Sequence, residues 1–216
     1  MYIGHYAAAA ALLALVPEPH AAAVVVPVAV GVAWPDLVWP VLVLARREKV
    51  TVDPGDPLQR SVRFDAYPLS HSLVLSNLLA LIPAIIIALL CRSWLAGALF
   101  LVAAISHWLL DLVVHLRDLP VLGFGRHDRK LGAGLWRLPR TAFFAEYLFF
   151  AAVVLAVAPP RLFAGVLGGG LLLHLLNANS AFGFTKRNPF GTPTAFAIMT
   201  LVGYAAAITW FLMAWR

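Results

Sequence analysis

Long apolar runs fill most of the chain, and three polar stretches divide them. A membrane crossing needs about 20 mostly apolar residues. On that measure the pattern predicts helices over roughly 2–16, 21–45, 69–91, 93–114, 141–158, 161–179 and 193–215. The first is short and ends at Pro17-Glu18-Pro19. The second is long and contains Pro27, Pro35 and Pro40, which should kink or break it. The polar stretches are 46–68, 115–140 and 180–192; the other connections, near Pro17–His20, Arg92 and Pro159–Arg161, are very short. No internal repeat is present. The expectation is an all-α, polytopic membrane helix bundle of about seven spans, forming a single transmembrane domain over 1–216.

Composition agrees. Of the 216 residues, 62% are hydrophobic and 12% charged, against about 45–50% and about 25% in soluble domains. Low charge with high hydrophobicity also excludes disorder. The first apolar stretch has no basic segment before it and no small-residue cleavage site after it, so no secretory signal need be invoked. A lone Cys91 offers neither an internal disulfide nor a thiolate metal site.

The net charge of +6 would suggest nucleic acid in a soluble protein. Here its distribution reads as topology, and no nucleic-acid partner is expected. If the spans alternate, the long loops share one side with Arg46, Arg47, Lys49, Arg60, Arg63, Arg117, Arg126, Arg129, Lys130, Arg137, Arg140, Lys186 and Arg187. The other side holds only Arg92, Arg161 and Arg216. The positive-inside rule then puts the N-terminus and the long loops in the cytoplasm. The basic excess also suits anionic lipid headgroups. Trp34, Trp39, Trp108 and Trp136 fall near that boundary, where an interfacial aromatic belt would account for them.

Ionisable residues within spans are costly and need a reason. The set is His5, Asp36, His71, His107, Asp111, His115, Glu146 and His174, and alternation puts all of them toward the cytoplasmic ends. His107, Asp111 and His115 follow one another at i, i+4 and i+8, so they line one helix face. Imidazole with carboxylate suits zinc, manganese or iron. Such an ion would also compensate the buried carboxylates. The alternative is that His and Asp pair across helices and merely fix packing. Glu146 could pair with Arg137 or Arg140, and His174 with Asn177 and Asn179 reads as a polar packing edge. His20 falls on the far side, and His127 in a solvated loop. Gly168-Gly169-Gly170 reads as a close-packing face rather than a phosphate cradle. No G-x-S-x-G, P-loop or H-E-x-x-H is present.

Four short blocks, in order, resemble the YdjM-like family of bacterial inner-membrane metal-dependent hydrolases. They are Gly4-His5, Pro35-Asp36, Ser70-His71-Ser72-Leu73 and Ser106-His107-x3-Asp111, within about the first 115 residues. The family shows G-H, P-D-x-D, H-R-G-x-T-H-S-L and S-H-x3-D. This chain has Val38 at the second Asp of P-D-x-D, and no histidine in the Asp65-Ala66-Tyr67 region where the family has its first. His115, Asp118 or Glu146 are the available replacements, and Gly134-Leu135-Trp136 followed by Glu146 is a segment that would complete such a site.

The resemblance implies a hydrolase of the bacterial inner membrane, with Asp36, His71, His107 and Asp111 holding a divalent ion and zinc the first choice. His5 and His115 are further metal candidates. Glu146 or Asp118 would act as general base or acid. Arg137, Arg140 and Lys130 would hold an anionic headgroup of a membrane lipid or other amphiphilic ester. The competing reading is a non-catalytic membrane subunit or transporter-like scaffold, with a structural or proton-conducting cluster. Iron-dependent oxidation of a lipid chain ranks last, since it needs more histidines than the blocks supply.

Overall fold

The computed structural model describes residues 1–16, 21–125 and 127–216. Pro17-Glu18-Pro19, His20 and Arg126 therefore lie outside the described residues. The helices are α1 (His5–Ala14), α2 (Ala22–Leu44), α3 (Pro68–His71), α4 (Leu75–Leu90), α5 (Trp94–Val114), α6 (Pro139–Val157), α7 (Gly169–Leu176), α8 (Ala178–Phe182) and α9 (Pro193–Ala214). The all-α expectation holds. Among the described residues four helices, α2, α5, α6 and α9, are long and apolar enough to cross a membrane. The remaining apolar stretches give shorter helices: α1, α4 and the segment Pro160–Leu176. At 1.5 Å per residue the 16 residues of α4 reach about 24 Å, short of a hydrocarbon core of about 30 Å.

Two local expectations change. Pro27, Pro35 and Pro40 all lie inside α2, which is not broken by them. The predicted span 69–91 is divided instead: Ser72 is extended, and its hydroxyl donates to Pro68 O and accepts from Ser76 N. This break separates the short α3 from α4, so His71 ends one helix rather than sitting within a longer one.

Packing on α4 is inverted relative to a water-soluble helix. Ala80, Ala84 and Ala88 are buried, while Leu78, Ile82, Ile85, Ile86 and Leu89 are exposed. Small residues inside and large apolar ones outside is the arrangement expected when hydrocarbon is the solvent, since the driving force is then close packing rather than removal of apolar area from water. Close approach is enforced at two glycines. A Cβ on Gly97 would lie 2.5 Å from Ala84 O, and one on Gly31 would lie 2.6 Å from Phe100 O and 2.7 Å from Ala103 Cβ. These contacts lock α5 between α4 and α2. Gly169 and Gly170 likewise abut Trp210 and Phe150 and form a packing face, whereas Gly168, the first of the run, faces open space.

The polar stretches do not hang free. Residues 45–67 fold back as an antiparallel hairpin of β1 (Lys49–Thr51) and β2 (Arg63–Ala66). β3 (Leu119–Pro120) pairs with β4 (Lys130–Leu131). The backbone of 119–122 also takes Leu73, Val74 and Leu75 N–H groups at 2.9–3.2 Å, which ties this segment to the entrance of α4. Under these hairpins lies a second apolar core holding Trp39, Val50, Val62, Tyr67, Trp108 and Leu119. Trp39 and Trp108 are thus core residues beneath a cap, not members of an exposed interfacial belt.

Gly31→Ala should destabilise the bundle by about 1–3 kcal/mol, the usual cost of overpacking. Gly168→Ala, whose added Cβ meets nothing within 4 Å, should leave stability unchanged or slightly raised. Thermal unfolding of the two variants in one detergent checks both.

Candidate metal centre

Four elements meet at the ends of the helices nearest the hairpin cap. His5 opens α1, Asp36 lies on α2, His71 closes α3, and α5 brings His107 and Asp111 on successive turns with His115 as its C-cap. The centre is dry: the side chains of His5, His71, His107, Asp111 and His115 are at most 3% exposed, while Asp36 retains 16%.

Distances converge on the two carboxylates. His71 Nε2 lies 3.3 Å from Asp36 Oδ1 and 3.9 Å from Asp111 Oδ2. His107 Nε2 lies 3.5 Å from Asp36 Oδ2 and 3.2 Å from Asp111 Oδ2. His115 Nε2 is 3.5 Å from the same Asp111 oxygen. The other oxygen, Oδ1, faces His5 Nε2 at 3.2 Å and accepts from the Met1 amino group at 2.5 Å, an ion pair that offsets part of its charge.

Hydrogen bonds at the far side of each ring decide which nitrogen carries the proton. His107 Nδ1 is 2.7 Å from Val32 O, which can only accept, so Nδ1 is the donor. That acceptor lies beside the point where Pro35 lacks the N–H that would otherwise tie down the carbonyl of Gly31. His71 Nδ1 is 2.8 Å from Ser70 Oγ, whose own proton goes to Glu48 Oε2 at 2.6 Å. His115 Nδ1 is 3.1 Å from Asp118 Oδ1 and 3.3 Å from Tyr67 Oη. In the neutral rings, therefore, each Nε2 presents a lone pair to the Asp36–Asp111 pair. His107 Nε2 and both nitrogens of His5 are buried without a hydrogen-bond partner.

Lone pairs facing carboxylates in a dry interior repel unless a cation or extra protons lie between them. A tetrahedral ion with bonds of about 2.0–2.1 Å to nitrogen or oxygen needs ligand–ligand edges of about 3.3–3.4 Å. The His–Asp edges run from 3.2 to 3.9 Å. Two overlapping groups of ligand atoms within 4.8 Å of one another occur among the described residues, Asp36–His71–His107 and His5–His107–Asp111. The donor set thus fits a divalent ion. The rings of His5 and His107 stack nearly parallel, 3.7 Å apart at 8°. Their in-plane lone pairs therefore run side by side rather than meeting at one point.

The other candidates are placed elsewhere. Asp118 contacts His115 Nδ1, behind the ring. Glu146 accepts the backbone N–H groups of Tyr2 and Gly4 and so holds the turn that delivers His5; no ion pair joins it to Arg137 or Arg140 among the described residues. Arg137, Arg140 and Lys130 are exposed, with the Arg140 guanidinium 5.9 Å above the Phe182 ring. His174 lies apart from the centre, bonded to Phe143 O at 2.9 Å and stacked on the Phe143 ring. Exposed His127 lies in its loop as expected.

Sequence reasoning missed Glu48 and did not single out Ser70 or Tyr67 as supports. Glu48 stands in the run Arg46-Arg47-Glu48-Lys49 and reads there as a solvated charge. In the structure it is 2% exposed and accepts from Leu69 N, Ser70 N and Ser70 Oγ. Burial raises its carboxyl above the ordinary range, and the Ser70 hydroxyl opposes that rise. The alternation of polar and apolar residues through Lys49-Val50-Thr51-Val52, which puts Glu48 on the same strand face as Val50, was the available signal.

Ser70→Ala should weaken metal binding by about 10–100-fold, the usual effect of removing a group that orients a ligating histidine, and Ser70→Thr should restore it. Chelator competition with elemental analysis measures both. His107→Ala should abolish the bound metal. His174→Ala should keep it and cost about 0.6 kcal/mol, the average for an interhelical hydrogen bond in a membrane bundle. Equal metal content in these two histidine variants would reject the centre.

No family model, no characterised protein and no solved structure matches the chain.

Proposed function

We propose that the protein is an integral-membrane, metal-dependent hydrolase of the YdjM-like kind, acting on an amphiphilic ester at the cytoplasmic face of a bacterial inner membrane. The observation that carries this reading is the set of three imidazoles whose Nδ1 atoms are tied from behind and whose Nε2 atoms face two buried carboxylates. Zinc suits the donor set Asp36, His71, His107 and Asp111 and its edge lengths. A bound divalent ion would polarise the scissile bond and make water nucleophilic near neutral pH.

The remaining roles belong to the chain. Asp36 and Asp111 balance the positive charge, and Ser70 with Glu48 holds His71 in one tautomer. Asp118 acts through His115, which stands outside both candidate ligand groups and does not hold the ion in this role: a carboxylate behind Nδ1 orients the ring and stabilises it when Nε2 takes a proton. Trp136, 4.3 Å from the His115 ring, restricts its rotation. Arg137, Arg140 and Lys130, on the loop face, are the basic residues for an anionic headgroup. In this reading α1, α4 and Pro160–Leu176 are short crossings that complete seven, with the N-terminus and the long loops cytoplasmic.

Asp118→Asn should retain metal and lower hydrolysis of an amphiphilic ester by about 100-fold or more, in the range that a positioned proton-transfer group contributes. Zinc-loaded protein in nanodiscs, assayed beside the variant, tests this. Full metal occupancy without hydrolysis of phospholipid, lysolipid or acylglycerol esters would overturn the hydrolase reading. Topology has its own test. Exposed Cys91, at the α4–α5 turn, should react with an impermeant maleimide from the periplasmic face. A cysteine replacing His127 in a Cys91→Ser background should react only after permeabilisation. The reverse pattern would invert the topology.

A further inference from the structure

We infer that the cavity between α2 and α4 admits one acyl chain of a membrane phospholipid, from the side and within the bilayer, placing the chain's polar end beside Asp36 and His71. This rests on the hydrolase reading above and adds to it the route and the lipid character of the substrate.

The cavity has a volume of about 160 Å³. Trp34, Val38 and Leu42 form one wall on α2, at i, i+4 and i+8; Leu79 and Ala80 of α4 form the facing wall, and Ala104 of α5 contributes to the lining. Its lining also includes Pro35, the chain neighbour of Asp36, and Ser70, whose hydroxyl lies 2.8 Å from His71 Nδ1. Ser76 and Asn77 supply further polar surface. A mostly apolar slot with a few polar groups, Ser70 of them in contact with His71, matches an amphiphile, not a wholly apolar or wholly polar molecule.

The surroundings specify where such a molecule comes from. Leu79 is 40% exposed, and its neighbours Leu78 and Ile82 on α4 are more so, all on the large-residue face that hydrocarbon solvates. On the loop side the centre is covered. Tyr67 and Leu119 are fully buried in the cap, and Trp136 packs on His115. A water-borne substrate would have to displace that core, whereas an acyl chain already in the bilayer only has to enter between two helices. Asp36, the most accessible of the centre's carboxylates and histidines, is borne by the helix that forms one wall.

The test is photolabelling of the whole protein in nanodiscs of phosphatidylethanolamine and phosphatidylglycerol, the latter carrying a diazirine on one acyl chain. Labelled residues are mapped by mass spectrometry, and metal content is measured in the same samples. Adducts are expected on Val38, Leu42 and Ala80 as well as on the annular residues Ile82 and Ile85. Val38→Phe should reduce the cavity adducts several-fold and leave the annular adducts and metal content unchanged. Leu42→Trp, one turn further along α2, is the second block if Val38→Phe fails to insert. Adducts confined to annular residues in the wild-type protein would overturn the inference, as would cavity adducts that neither block reduces. Metal bound without cavity labelling would reject the entry route alone; cavity labelling without metal would reject the metal-dependent reading and keep the route.

Discussion

Two carboxylates buried among imidazole lone pairs impose the constraint to which the surrounding structure answers. Neither Asp36 nor Asp111 is paired with a lysine or arginine side chain among the described residues; their neighbours are histidines and, for Asp111, the Met1 amino group. A carboxylate in such surroundings costs several kcal/mol unless it is compensated. A divalent ion compensates both at once and uses the lone pairs that otherwise oppose them. The supports behind the rings make sense in that light. Val32 O, Ser70 with Glu48, and Asp118 each take the Nδ1 side of one histidine, leaving Nε2 for the interior.

The helices that deliver these groups are assembled by close contact rather than by hiding bulk. Gly31 lets α2 approach α5 near its middle, and the alanine stripe of α4 does the same on the other side. In hydrocarbon, large apolar side chains gain little by leaving the surface, so they stay outside, and backbones come together over small residues. This brings α2 and α5 close enough for Val32 O to bond His107. Fold and site therefore share one cause. Between α2 and α4 a cavity lined by Trp34, Val38, Ser70, Asn77 and Ala80 remains.

The hairpin cap makes the site one-sided. Residues 45–67 and 115–138 carry most of the basic loop charge at their surfaces, yet fold an apolar interior of Trp39, Tyr67, Trp108 and Leu119 directly over the histidines. The cap supplies Glu48 and Tyr67, and Asp118 just beyond α5. It thus acts both as cover and as the source of the groups that orient two of the three rings.

Amino-acid order alone determined the membrane character, because apolar runs of spanning length are a local property that no partner can alter. It also determined that His107, Asp111 and His115 share a face, since spacing by four residues on a helix is geometry. His5, Asp36 and His71 were legible as belonging with them only through motif order and a shared end of the bundle. What the chain order left undecided was everything set by distant approach. The break at Ser72 depends on bonds that reach from Pro68 to Ser76 and on the backbone of 119–122. The role of Glu48 depends on a hairpin fold that hides a residue flanked by arginine and lysine. Glu146 became the holder of the N-terminal turn because α1 and α6 lie together. In each case a polar group found its partner across the bundle, and hydrogen bonding between residues remote in sequence is decided by packing rather than by local pattern.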